Sequence, residues 1–210
     1  MSIIGSVLDA AHARLYDPIM TKVEAAGLRE QRRQLLAGLD GDVLEIGAGT
    51  GLNLDLYPDG LRSLTLTEPS PPMVQRLRRR VGETRPDATV VTAGADRLPF
   101  DDNTFDAAVS TLVLCTVPDV GRALAEVRRV LRPGGRLVVI EHVRAEGRTY
   151  RAQQMLEPVQ RVLGRGCHLT RDTRSALRAA AFDDTNIVDG QMPVAPPVVR
   201  PIIAGVALAS

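Results

Sequence analysis

A glycine-rich stretch is the part of the sequence whose residue types and spacing most clearly predict a ligand site. Glu45-Ile-Gly-Ala-Gly-Thr-Gly51 lies at the end of a short apolar run. Glycine tolerates positive φ and lets a ligand approach the backbone, and the start of a following helix offers unpaired N–H groups. We therefore predict a strand that runs into a binding turn, with Glu45, Gly47, Ala48, Gly49 and Gly51 at the ligand.

The glycine spacing also indicates which ligand the turn binds. In the dinucleotide pattern G-x-G-x-x-G the third glycine would stand at position 52, where this chain has Leu52. A carboxylate in front of the first glycine would repel a phosphate, whereas it suits an amino group or a sulfonium. Both features favour S-adenosylmethionine over a pyrophosphate cofactor such as NAD. A structural turn or another nucleotide is the alternative.

The elements that must position this turn alternate along the chain. Strands are predicted at 43–46, 63–67, 89–92, 105–110, 136–140, 185–188 and 202–208, and helices at 73–81, 120–131 and 173–181, with another starting over 52–56. Such alternation implies a parallel sheet with helices on both faces. Only a Pro-rich loop separates the last two strands, which leaves no room for a crossover, so they should pair antiparallel. The prediction is an α/β fold with a Rossmann-like, seven-stranded, mostly parallel sheet and a terminal antiparallel strand.

Residues 8–38 carry apolar side chains at helical spacing ahead of the first strand. We expect residues 1–38 to form a helical lid over the core at 39–210, within a single domain of 1–210. Tyr16 could then fold over the methionine part of the cofactor, with ordinary helix packing as the alternative. The arginine run at 76–80 is predicted to be a solvated helix face.

Composition excludes several classes of function. A net charge of +1 and an aromatic content of 3% without tryptophan argue against a nucleic-acid partner. Cys115 and Cys167 fall in no metal-ligand spacing, so we predict no metal and two reduced thiols. The chain shows no signal-peptide pattern and no apolar run long enough to span a bilayer, which predicts a cytoplasmic protein without an integral membrane segment.

Further motifs, in order from about residue 40 to 141, resemble the class I S-adenosylmethionine-dependent methyltransferases. Glu68-Pro69 ends the second strand where that family binds the ribose, and Gly94-Ala95-Asp96 follows the third strand where it binds the adenine. A plain turn acid is the alternative for Asp96. The resemblance implies S-adenosylmethionine as cofactor, held by Tyr16, Glu45, Gly47, Ala48, Gly49, Gly51, Asn53, Glu68, Pro69, Met73, Gly94, Ala95, Asp96, Thr111 and Leu112.

Within that family, the stretches at 111–117, 141–143, 166–171 and 200–201 resemble the methyltransferase-like branch that includes the alkyl thiol S-methyltransferases. Methyl transfer is an in-line displacement, so the protein has mainly to align the acceptor and exclude water. His142, at the carboxyl edge of the sheet, is the candidate catalytic base or acceptor-orienting group, and a loop-bonding histidine is the alternative. We expect Cys115 and His168 to line the acceptor site with His142, unless His168 only fixes its loop.

The leading hypothesis is an enzyme that moves a methyl group from S-adenosylmethionine to a small, apolar acceptor such as a thiol. A quinone, lipid or other small-molecule O-, N- or C-methyltransferase is the nearest enzymatic alternative. A protein that binds the cofactor without catalysis is an alternative of another class. An NAD-dependent oxidoreductase is disfavoured by the glycine spacing. The sequence leaves the oligomeric state open.

Overall fold

A computed structural model describes residues 3–209, with side chains from residue 12 onward. The strands are β1 (Asp42–Ile46), β2 (Ser63–Thr67), β3 (Thr89–Val91), β4 (Phe105–Thr111), β5 (Leu131–His142), β6 (Phe182–Gln191) and β7 (Pro201–Ala209). The helices are α1 (Ile3–Val23), α2 (Arg29–Leu36), α3 (Pro71–Thr84), α4 (Val120–Val130), α5 (Gly147–Leu163) and α6 (Thr173–Ala179).

The strands form one sheet in the order β3-β2-β1-β4-β5-β7-β6. Neighbouring strands from β3 to β5 are parallel, and β7 runs antiparallel to both β5 and β6. The strand order reverses between β1 and β4, because β1 pairs with β2 on one side and with β4 on the other. The predicted Rossmann-like sheet with a terminal antiparallel strand is therefore confirmed. Ligands bind at such reversal points, beyond the carboxyl ends of the strands.

Burial explains why the central strands are continuous apolar runs. Val43, Leu44 and Ile46 of β1 are fully buried, since helices cover both faces of the sheet. The apolar stripe of α4 packs on one face, and the Asp119 side chain caps that helix by accepting from the Arg122 N–H. The stripe of α3 packs on the other face. Packing on both faces holds the central strands in place, and the candidate site lies at their carboxyl ends.

Several local predictions differ from the structure. The helix expected from Leu52 is only a 3₁₀ turn over Leu54–Leu56, because Asn53 turns its side chain to strand residues instead of leaving it on a helix surface. β5 begins at Leu131, five residues before the predicted start at position 136, in a bulged pairing with Phe105. Helix α5 was not predicted. Several of its apolar side chains point to solvent, and Pro158 lies inside it, so its sequence lacks a core-facing pattern.

The predicted N-terminal helix is present but broken. A π-helical turn over Glu24–Leu28 joins α1 to α2, and Gly27 adopts a φ of 131° at the break. From this segment Met20 and Leu28 are buried in a cluster that also contains Ile140 and Ile202 at the carboxyl edge of the sheet. Within residues 3–209, none of the helices combines the length and the apolarity needed to cross a bilayer.

Candidate active site

The glycine turn follows β1 and has left-handed backbone at each of its three glycines. The φ angles of Gly47, Gly49 and Gly51 are 59°, 57° and 85°. A Cβ on Gly47 would collide with Val113, and one on Gly51 would collide with Leu54. A Cβ on Gly49 would meet nothing within 4 Å. Two of the glycines therefore serve packing, whereas Gly49 leaves open space in front of the turn where a ligand can approach.

Glu68 connects the end of β2 to this turn. Its Oε2 accepts a hydrogen bond from the Gly49 N–H at 3.0 Å, and its Oε1 accepts from the Ser70 N–H at 2.8 Å. The side chain is buried, and burial raises the pKa of its carboxyl group despite those two bonds. Both oxygens are thus held in fixed positions beside Gly49. Pro69 is exposed at the same loop, and Met73 is buried at the start of α3.

The buried carboxylate of Glu45 bonds to neighbouring side chains. It accepts hydrogen bonds from Asn53 Nδ2 and from the Tyr57 hydroxyl, each at 2.8 Å. Burial raises the pKa of Glu45, and these two bonds oppose that effect. Asn53 also donates to Thr111 Oγ1 and accepts from the buried Arg32 guanidinium. The sequence did not reveal this network, which fixes the floor of the turn against β4 and α2.

The loop after β3 carries the residues predicted at the adenine. Ala95 is buried, while Gly94 and Asp96 are partly exposed. The Asp96 carbonyl accepts from Arg122 Nε at 3.0 Å, which ties the loop to α4. A surface hollow of about 600 Å³ lies beside Gly94 and is lined by Arg97 and Phe100 among others.

Leu112, at the carboxyl end of β4, is in an unusual backbone conformation. Its φ is 61°, in the left-handed region, and its N–H donates to the Ile140 carbonyl at 2.8 Å. A large apolar residue in this region costs on the order of 1–3 kcal/mol, and such strain concentrates at functional sites. The turn that follows carries Val113 against Gly47 and leads to Cys115.

Asp17 of α1 joins the N-terminal helix to the glycine turn. It accepts hydrogen bonds from Thr50 Oγ1 and, at 2.9 Å, from Arg80 Nη2 of α3. Arg80, in the arginine run predicted as a solvated helix face, is one-third exposed and pairs with Asp17. Tyr16, beside Asp17, is partly buried in the cluster that contains Met20 and Leu112. The structure thus places α1 against the turn, with Tyr16 at the carboxyl edge of the sheet.

Three buried side chains converge near the end of β5. His142 Nδ1 lies 3.7 Å from Cys115 Sγ and 3.7 Å from Cys167 Sγ. Cys115 follows β4, His142 ends β5, and Cys167 follows α5, so three separate elements supply the group. We call it the Cys-His-Cys cluster. The fold thus brings together two cysteines that fall in no metal-ligand spacing along the sequence, while the absence of a metal stays a prediction.

Contacts between the two thiols shift their pKa values in opposite directions. The hydrogen bond from Cys115 and the contact with His142 lower the pKa of Cys167 to about 5, although burial opposes this. The bond to Cys167, followed by burial, raises the pKa of Cys115 well above its ordinary value. Cys167 is accordingly the more acidic of the pair.

His168 follows Cys167 but does not join the cluster. Its Nδ1 lies 2.9 Å from Glu157 Oε1 of α5, and its backbone N–H donates to the Cys115 carbonyl at 2.8 Å. The loop-fixing alternative accounts for these contacts. Below the cluster, the buried Glu141 carboxylate accepts from the N–H groups of Val113 and Cys115.

A family model described as a methyltransferase domain matches residues 44–139. The human thiol S-methyltransferase TMT1A is 41% identical over 182 residues, covering 83% of this chain and 74% of that protein. The phosphatidylethanolamine N-methyltransferase of Cereibacter sphaeroides is 33% identical, covering 71% of this chain and 74% of that protein.

Among solved structures, an S-adenosylmethionine-dependent methyltransferase from Thermotoga maritima, described as a possible histamine N-methyltransferase, has a TM-score of 0.69 at 22% identity. The match covers 95% of this chain and 98% of that one. At this identity the likeness shows the shared fold alone.

Proposed function

The chain belongs to the class I S-adenosylmethionine-dependent methyltransferases, and from that premise we propose that its methyl acceptor is a small, apolar thiol. S-adenosylmethionine supplies an electrophilic methyl group on a sulfonium. The protein's own residues then have to hold the cofactor, align the acceptor sulfur in line with that methyl group, and keep water out.

The residues at the carboxyl edge fit this cofactor. Open space in front of Gly49 allows close approach to the backbone, and Glu68 presents oriented carboxylate oxygens that suit a ribose diol. We assign the ribose to Glu68, the adenine to the loop of Ala95 and Asp96, and the methionine part to the space below Tyr16. The remaining wall residues are Glu45, Gly47, Ala48, Gly51, Asn53, Pro69, Met73, Gly94, Thr111 and Leu112.

Glu68→Ala is expected to weaken S-adenosylmethionine binding about tenfold or more, because a ribose diol without its charged acceptor loses about 1–3 kcal/mol. Isothermal titration calorimetry with S-adenosylmethionine measures this directly. Glu83→Ala is the matched control, since Glu83 is an exposed glutamate of the neighbouring helix α3. Equal affinity in the two variants would remove Glu68 from the cofactor site.

The observation that carries the acceptor assignment is the buried His142 imidazole at the end of β5. Its ring lies beside Cys115, which is in the turn that follows β4. That turn begins with the strained Leu112, and its Val113 packs against Gly47 of the glycine turn. A thiol with a pKa near 8.5 is already partly ionised at neutral pH, so a modest activating group suffices. We assign the acceptor-activating role to His142, with Cys115 in the acceptor wall. The sequence identity to thiol S-methyltransferases supports the same acceptor class.

An acceptor screen tests this proposal. The purified chain is incubated with labelled S-adenosylmethionine and, separately, an alkyl thiol, a phenol, a quinol and an amine, and methylated products are identified by mass spectrometry. We expect the thiol to be methylated and the other three to remain unmodified. Methylation of the quinol or the amine in preference to the thiol would overturn the acceptor class and favour the quinone and lipid alternatives. Cofactor binding without transfer to any acceptor would favour a non-catalytic protein.

A further inference from the structure

The geometry of the Cys-His-Cys cluster matches the spacing of ligands around one tetrahedral ion. With metal–sulfur and metal–nitrogen distances of about 2.3 and 2.05 Å, tetrahedral angles place nitrogen about 3.6 Å from sulfur. Both observed separations from His142 Nδ1 to sulfur are 3.7 Å. All three ligand atoms lie within 4.8 Å of one another. The single nitrogen of His142 thus faces both sulfurs at a separation that coordination of one ion would also give.

The loop that carries Cys167 is fixed in place by its backbone. Gly166 has a φ of 97°, and a Cβ there would lie 2.9 Å from the Thr116 carbonyl oxygen. The next residue along, His168, donates its N–H to the Cys115 carbonyl. Close backbone contact on both sides of Cys167 therefore holds its sulfur against the turn of Cys115 before any ligand arrives.

The imidazole of His142 is buried with one ring nitrogen turned to both thiols. His142 is only 8% exposed, and its Nδ1 lies within hydrogen-bond distance of the two sulfurs. Nδ1 and the two sulfurs therefore already face one another as a ligand set would, and an ion would replace the thiol contacts with three coordinate bonds.

We propose that Cys115, Cys167 and His142 Nδ1 bind one thiophilic divalent cation of the Zn²⁺ class. Two thiolates neutralise the double charge of the ion, which suits a buried position, and any proton still held by either sulfur is released to water on binding. Two cysteines and one histidine also form a donor set found in catalytic zinc sites, where a fourth position remains open.

The open position would take the acceptor sulfur, a step that rests on the proposed function. A thiol that coordinates the ion loses its proton to solvent, and the resulting thiolate attacks the methyl carbon of S-adenosylmethionine. The carbon–sulfonium bond breaks as the new carbon–sulfur bond forms, giving a thioether and S-adenosylhomocysteine. In this form His142 activates the acceptor through the ion it ligates.

The test measures metal content and ligand chemistry in the full chain. Protein loaded with Zn²⁺ and then freed of unbound ion by gel filtration should retain one zinc per chain by mass spectrometry. Substitution with Co²⁺ should give thiolate-to-cobalt charge transfer and the intense visible bands of a tetrahedral site. Cys167→Ser should weaken zinc binding about 100-fold or more, because each ligand carries a large share of the affinity. His12→Asn, which changes a histidine of α1 outside the cluster, should retain the metal.

A chain that retains no zinc, a cobalt spectrum without charge transfer, or retention unchanged in Cys167→Ser would each overturn the metal site. The cobalt spectrum of the unmodified chain decides the question even if the cysteine variants do not fold. Methylation of a thiol at full rate by zinc-free protein overturns the activating role of the ion and leaves the proposed function intact. Zinc bound as described, without methylation of any thiol, supports the site and overturns the proposed function.

Discussion

Gly49→Val is expected to abolish S-adenosylmethionine binding in a chain that still folds. The Cβ of a valine would project into the open space that we assign to the cofactor, where no protein atom lies within 4 Å. Its branched side chain would also resist the φ of 57° and shift the Gly49 N–H away from Glu68. Calorimetry should detect no binding at cofactor concentrations about 100 times the Kd of the unmodified chain.

Gly134→Val is the control that distinguishes a blocked cofactor site from the effect of backbone strain in Gly49→Val. Gly134 has a φ of 73° and also open space around its Cβ, but it lies near the start of β5, at the other end of the strand from His142. Both variants carry a comparable left-handed penalty, so their melting temperatures should fall by similar amounts. Only Gly49→Val should lose the cofactor. Binding retained in Gly49→Val would mean that the glycine turn serves packing alone.

Asp17→Ala is expected to lower the rate of methyl transfer about 100-fold, because an error of about 1 Å in the alignment of reacting groups has an effect of that size. Asp17 connects α1 to Thr50 of the glycine turn and to Arg80 of α3. Without it, we expect α1 and Tyr16 to loosen over the cofactor site. Single-turnover kinetics measure the transfer step separately from binding and product release.

Lys22→Ala is the matched control, since it removes an exposed charge near the end of the same helix. Both variants should remain folded, because Arg80 is one-third exposed and can be solvated without its partner. Hydrogen exchange should show α1 less protected in Asp17→Ala than in Lys22→Ala when the cofactor is bound. Equal rates and equal protection would mean that α1 is ordinary packing and not a lid.

The sequence predicted those elements whose pattern faces the core. β2 was predicted with its observed bounds, and β1 and β4 within one residue at an end, because buried strands are continuous apolar runs between turn residues. Helix α5 was not predicted, because Met155, Val159 and Val162 point outward and form no amphipathic stripe toward the sheet. Hydrophobic periodicity arises where an element packs against the core, so it predicts poorly any element that exposes its apolar side chains.

Some residues of the candidate site could be predicted from the sequence and others could not. Gly49 and Glu68 were recognisable because they belong to short motifs with a fixed place at strand ends. Asp17 and Cys167 were not, since their partners are distant in sequence: Asp17 meets Arg80 across 63 residues, and Cys167 meets His142 across 25. Cys115 and His142 were expected at one sheet edge because they follow strands of a parallel sheet, and the carboxyl ends of β4 and β5 are indeed adjacent.

The central claim is tested most directly with one acceptor molecule that offers both sulfur and oxygen to the methyl group of S-adenosylmethionine. A mercaptophenol carries a thiol and a phenol on one molecule, so both groups reach the enzyme at the same concentration and on the same carbon frame. With labelled S-adenosylmethionine, we expect the label on sulfur alone, with one S-adenosylhomocysteine formed per methylated product. Label on oxygen, or cofactor turnover without a methylated product, would contradict a thiol S-methyltransferase.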